Sequence, residues 1–186
     1  MMQIPTVADS QSPTDTSKGS LALYLHIPFC SSKCGYCDFN SYENLDHLVP
    51  DYTPALMHEI ELWAPAANNL EVHSVFFGGG TPSLTSLDDL EGIIGAVRER
   101  FDVAADAEWS LEANPTELSA EHLVGMRELG INRLSMGVQS MQPDELELLE
   151  REHSPERVVE AVAAARAAGF DNLNLDLIFG LIEQPL

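Results

Sequence analysis

Lysine is nearly missing from this chain. Lys18 and Lys33 are the only two in 186 residues, and with seven arginines they face 30 acids, for a formal net charge of −21. So acidic a surface repels phosphate backbones and argues against a nucleic-acid partner. Long hydrophobic runs are missing too. Nothing approaches the roughly 18 consecutive apolar residues of a membrane helix, so no integral membrane segment is expected. The opening MMQIPTVADSQSPTDTSKGS has neither the basic start nor the apolar stretch of a secretory signal. Its Ser, Thr, Asp and Pro content predicts a disordered tail over residues 1–18. Cysteine is scarce, at three residues, an odd number that argues against a disulfide framework. The expected location is the cytoplasm, where thiols stay reduced.

What is present is rhythm. Apolar residues make up 45% of the chain, enough for one ordinary core. From Leu21 onward, strand-like and helix-like stretches alternate. LALYLHI, VHSVFF, AEWSLEA, INRLSMGV and NLNLDLIF read as strands, and the segments between them read as helices. Ser86, Ser119 and Ser154 are expected N-caps, Pro155 opens the last helix, and Gly130 and Gly169 end theirs. The alternation predicts α/β architecture with a parallel sheet, either doubly wound and open or curled like a barrel. In such folds the working residues sit at the carboxyl ends of strands. Those ends carry the cysteines, then Gly78–Gly80, then Glu112 and Asn114, then Gln139 and Ser140, with Asp176 inside the fifth strand. One shared site on one rim is expected.

All three cysteines fall in CSSKCGYCDF, as Cys30, Cys34 and Cys37. Three thiolates so close can wrap one metal centre. Structural zinc wants four ligands, and His26 or His47 would have to supply the fourth at an unusual spacing. An iron–sulfur cluster accepts three cysteines and leaves one iron open. Three unrelated buried thiols is the bland alternative. Gly78–Gly80 read as a close backbone approach to a ligand or as a tight turn. Glu112, near a strand end, needs a partner, either a ligand group or a salt bridge with Arg133 or Arg151. His26 serves equally as a wall histidine. Met126, Met136 and Met141 read as core filler.

C-x3-C-x2-C with Tyr36 before the last cysteine resembles the signature of radical S-adenosylmethionine proteins. YLHIPFCSSKCGYCDFNS, FFGGGTPSL, LEANP, GINRLSMGVQS, REH and NLDLIFG together resemble the oxygen-independent coproporphyrinogen oxidase family. The oxidases carry a further cysteine two residues after the third. Phe39 stands there in this chain, a departure similar to the heme-chaperone branch of that family. The resemblance implies a [4Fe–4S] cluster on Cys30, Cys34 and Cys37, with S-adenosylmethionine on its open iron. It places Tyr24, Tyr36, Gly79, Gly80, Thr81, Glu112, Gln139, Arg151 and Asp176 around that cofactor. It implies heme or a porphyrin as ligand and a respiratory protein as heme acceptor, with coproporphyrinogen dehydrogenation as the alternative. The implied fold is a partial parallel (β/α) barrel of radical SAM type with about five βα units. Residues 19–186 are accordingly expected to form an incomplete core domain, truncated after GLIEQPL.

Overall fold

The computed structural model describes residues 19–182 and 184, so the tail expected over residues 1–18 lies outside the described residues. In chain order the elements are β1 (Gly19–Ile27), β2 (Phe29–Cys30), β3 (Tyr42–Glu43), α1 (Val49–Trp63), β4 (Leu70–Gly79) and α2 (Leu87–Arg100). Then follow β5 (Asp102–Ala113), α3 (Ala120–Leu129), β6 (Arg133–Gln139), α4 (Pro143–Leu148), α5 (Pro155–Ala167) and β7 (Asn172–Leu177). The main sheet is parallel throughout, in the order β1-β4-β5-β6-β7.

That order decides between the two architectures the alternation left open. Each new strand is added to the same edge. Right-handed crossovers then put every connecting helix on one face. A doubly wound sheet would reverse direction at a switch point. This one does not, and α1, α2, α3 and α5 pack in succession along one side. The sheet is a stretch of barrel wall.

Parallel strands covered on both faces read as unbroken apolar runs. These alternate instead. In β6, Leu134, Met136 and Val138 are buried toward the helices, while Arg133, Ser135, Gly137 and Gln139 fall on the other face. Val75 and Phe77 of β4 and Trp109 and Leu111 of β5 join the buried set, against Leu90, Ile93, Val97, Leu123 and Met126 of the helices. Each large side chain so buried contributes about 1.5–3 kcal/mol. The concave face is left polar, and it forms the wall of a cavity.

The expected caps are in place. The side chains of Ser86, Ser119 and Ser154 accept from the N–H groups of Asp89, His122 and Arg157. Gly130 and Gly169 take φ of +102° and +90° at the ends of α3 and α5. Two expectations need correction. Met141 is 43% exposed and so is not core filler, unlike Met126 and Met136. The short helix α4 was not anticipated; half of its six residues are acidic, and only Leu146 within it is buried.

Candidate functional site

The carboxyl ends of the main strands open onto a cavity of about 580 Å³ on the concave face. Cys30, Cys34, Tyr36 and Cys37 line it from the loop after β1, and Gly79, Gly80 and Thr81 from the end of β4. Glu112 and Asn114 of the third wall strand, Gln139 and Arg151 from β6 and the loop beyond it, and Asp176 of β7 complete that wall. Of the residues expected around the cofactor, Tyr24 stands outside the lining, as do Gly78 and Ser140 of the expected rim. Tyr24 stacks on Phe76, ring centroids 6.0 Å apart, and Phe76 lines the cavity. Ser140, expected on the rim, is buried instead, its hydroxyl bonded to Glu145 and to the Gln142 N–H.

The cysteine loop is tied down at many points. β2 and β3 pair in parallel and close its neck. Inside it, the Lys33 ammonium donates to the Phe39 and Ser41 carbonyls at 3.1 and 2.9 Å. Its N–H donates to Glu43 at 3.1 Å. The His26 ring bridges the Tyr24 hydroxyl (3.2 Å) and the Asn40 carbonyl (2.8 Å). From outside, Glu117 takes the Ser31 hydroxyl, and Glu150 accepts the Gly35 N–H at 2.7 Å. Arg151 Nη1 donates to Cys34 Sγ at 3.5 Å. Glu117 and Glu150 were not singled out in the sequence, where nothing local marks them, and Lys33 was noted only for the scarcity of lysine.

Cys30 is buried, Cys34 and Cys37 are half-buried, and all three are free thiols. Among the described residues, no three His, Cys, Asp or Glu side chains converge as the ligands of a single metal ion do. A zinc site needs such convergence. Its candidate fourth ligands do not serve: His47 is exposed, and both ring nitrogens of His26 are engaged. A four-iron cluster takes its thiolates on separate irons. Cys30, Cys34 and Cys37 line one cavity, and three thiolates so placed suit that donor set.

The glycine turn has a cause in the chain itself. A Cβ at Gly80 would lie 2.5 Å from the Phe29 carbonyl oxygen, and one at Gly79 (φ +120°) would lie 2.5 Å from the His26 ring. These glycines let the end of β4 press against the segment that delivers Cys30. The N–H groups there are spent within the chain. Gly79 donates to Glu112 Oε2 (3.0 Å), Gly80 to the Ile27 carbonyl (2.7 Å) and Thr81 to the Phe29 carbonyl (2.7 Å). What the turn can offer a ligand is carbonyl oxygen.

Glu112 therefore finds its partner in the Gly79 N–H. Among the described residues it makes no ion pair with Arg133 or Arg151. Burial lifts its carboxyl above the ordinary range; the Gly79 N–H opposes the rise and the Asp176 carboxylate adds to it. Asp176 accepts from Ser135 (3.0 Å) and Asn174 (2.7 Å). Asn172, Asn174 and Asp176 recur at a spacing of two, which is why they break the apolar run of β7. Gln139 holds φ +68°, and its carbonyl accepts from the Ile178 N–H. The Tyr36 hydroxyl is pushed up to about 12, chiefly by burial, with the Arg151 cation opposing and Cys34 adding to the rise. Arg151 Nη2 bonds the Gly137 carbonyl (2.9 Å) and Asn114 Oδ1 (3.2 Å), while its Nε is buried with no partner among the described residues.

A singly wound βα wall with C-x3-C-x2-C on its first loop is the build of radical S-adenosylmethionine proteins, and comparison with known sequences agrees. The Radical SAM superfamily profile matches residues 24–186, and the chain belongs to that superfamily. It is 42% identical to the heme chaperone HemW of Escherichia coli strain K12, over 89% of this chain and 44% of that protein. It is 45% identical to the heme chaperone HemW of Mycobacterium tuberculosis strain CDC 1551, over 85% of this chain and 41% of that protein. Among solved structures it resembles the coproporphyrinogen III oxidase HemN of Escherichia coli, with a TM-score of 0.82 and 36% identity over 91% of this chain and 39% of that one. The chain thus spans less than half the length of these relatives. Superfamily membership implies a [4Fe–4S] cluster and S-adenosylmethionine. Three free thiols lining one cavity and the orphaned Arg151 Nε fit such a pair of groups.

Proposed function

We propose that the protein is a heme chaperone: it binds a [4Fe–4S] cluster through Cys30, Cys34 and Cys37, holds S-adenosylmethionine in the adjoining cavity, and carries heme to respiratory proteins in the cytoplasm. Phe39 carries this reading. It lines the cavity at 68% exposure, where the oxidase branch is expected to have a cysteine. The identities of 42% and 45% to HemW proteins support it. The second reading, coproporphyrinogen dehydrogenation, draws on the likeness to HemN at a TM-score of 0.82.

When bound and reduced, the cluster supplies one electron to the sulfonium of S-adenosylmethionine. The chain's own residues do the positioning. The Gly79 and Gly80 carbonyls suit the cofactor's ammonium, since the N–H groups there are committed and the Thr81 carbonyl already accepts the Leu84 N–H. Arg151 Nε, buried and unpaired, suits its carboxylate. Glu112, Gln139 and Asp176 face the remaining polar groups, and Tyr24 and Tyr36 flank the site.

The deciding experiment gives cluster-loaded protein heme in one vessel and coproporphyrinogen III in another, without oxygen. Tight heme binding and no porphyrinogen product is the expected result. Turnover to protoporphyrinogen would establish the oxidase reading instead. Reconstitution should give about four irons and four sulfides per chain, and Ala at Cys30, Cys34 or Cys37 should abolish the thiolate-to-iron absorption. Full clusters in all three variants would sink the ligand assignment.

A further inference from the structure

We infer that the Glu150–Arg151 dipeptide grips the Cys34 corner of the cysteine loop and that Arg151 sets the reduction potential of the cluster held there, an inference that rests on the cluster reading above. The two residues lie 115 and 117 positions away from those they touch, Gly35 and Cys34. Glu150 takes the main chain and Arg151 takes the sulfur.

The grip is built for this purpose. Glu150 sits at φ +53°, in the left-handed region that non-glycine residues seldom adopt. That conformation follows the end of α4, where the Glu150 and Arg151 N–H groups bond the Glu147 and Leu146 carbonyls. It brings the Glu150 carboxylate to 2.7 Å from the Gly35 N–H. A Cβ at position 35 would lie 2.9 Å from that carboxylate, so a side chain there would push the Glu150 carboxylate aside. Strain of this sort persists only where its surroundings hold it in place.

Arg151 is equally constrained. Nη2 is fixed by the Gly137 carbonyl and Asn114 Oδ1, which leaves Nη1 aimed at Cys34 Sγ at 3.5 Å. Among the described residues its guanidinium forms no ion pair with a carboxylate. Its charge acts on the Cys34 sulfur at hydrogen-bond range. An N–H donated to a cluster-ligating sulfur stabilises negative charge on that ligand. The reduced cluster holds one electron more than the oxidised one, so the bond favours reduction and raises the potential. Removing the donor lowers it.

The test leaves S-adenosylmethionine out, so any contact of Arg151 with that cofactor does not enter. Wild type, Arg151→Gln, Arg151→Lys and Glu150→Ala are reconstituted without oxygen. Iron is counted, and the cluster is titrated electrochemically with the reduced state followed by electron paramagnetic resonance. Arg151→Gln should keep its iron and show about a tenfold higher oxidised-to-reduced ratio at a fixed potential, a fall of about 59 mV for one electron. Arg151→Lys keeps the charge without the fork and should shift the same way by less; it serves as the test if the Gln variant holds no iron. Glu150→Ala should lose iron to a chelator severalfold faster. Iron-replete Arg151 variants with the wild-type potential would overturn the inference alone. Wild-type protein that takes up no iron would overturn the cluster reading and the inference with it.

Discussion

Glu112 shows how one side chain couples the cavity to the fold. Its carboxyl is half-buried beside Asp176, and the Gly79 N–H, with a smaller pull from His26, eases the ionised form. With its folded pKa raised above the ordinary 4.5, it binds more protons folded than unfolded. Its contribution to stability is then fully present below that ordinary value and is lost as pH rises through the raised one. Glu112→Gln keeps an oxygen for the Gly79 N–H and removes the charge. The urea midpoint of the variant should gain on that of the wild type between pH 4.5 and 7.5, and a difference constant with pH would refute the account. The same paired acids make the cavity receptive to a cation. Residues of this kind are half legible in sequence. Glu112 stood out because it sits near a strand end and needs a partner, Asp176 because it breaks a mostly apolar run, and the cysteines because all three fall in ten residues. Glu150 and Lys33 did not, because what gives them meaning is a partner brought close by the fold or by a loop closure.

At the scale of elements, local chemistry was readable and pairing was not. Ser86, Ser119 and Ser154 announce their helices because a cap bond spans three residues. The glycines after β4 were visible, but the cause of Gly80 is the Phe29 carbonyl across the sheet, which no local pattern contains. Strand order is likewise non-local, so a barrel wall and a doubly wound sheet looked alike until β6 and β7 were seen to continue outward from β5 instead of returning to the free edge of β1. Asn132 holds part of that order. Its Oδ1 accepts the Trp109 N–H at 2.8 Å, its Nδ2 donates to the Ala107 carbonyl at 2.9 Å, and its own N–H reaches the Trp109 carbonyl. The side chain thus laces β5 to the start of β6. Asn132→Ala would strand a part-buried N–H and a carbonyl and should cost about 1–3 kcal/mol. Chemical denaturation measures this directly, and a loss well under that range would mean water replaces both bonds.

Over the whole molecule, charge and site pull in opposite directions for the two ligands proposed. The chain carries −21 overall, and the cavity adds to the imbalance, with Glu112, Glu150, Glu152 and Asp176 facing Arg133 and Arg151. S-adenosylmethionine bears an ammonium, a sulfonium and a carboxylate, so it arrives as a net cation and is drawn in. Heme arrives with two propionates and is repelled until it meets an arginine at close range. Salt separates these cases, because it screens long-range fields while leaving buried contacts largely intact. Going from about 0.01 M to 0.15 M ionic strength shortens the screening length from about 30 Å to about 8 Å. The association rate of S-adenosylmethionine should fall severalfold over that range, and that of an anionic porphyrin should rise. Stopped-flow mixing with cluster-loaded protein reads both. Rates that move in the same direction would show that a local field, and not the net charge of the chain, governs entry to the cavity.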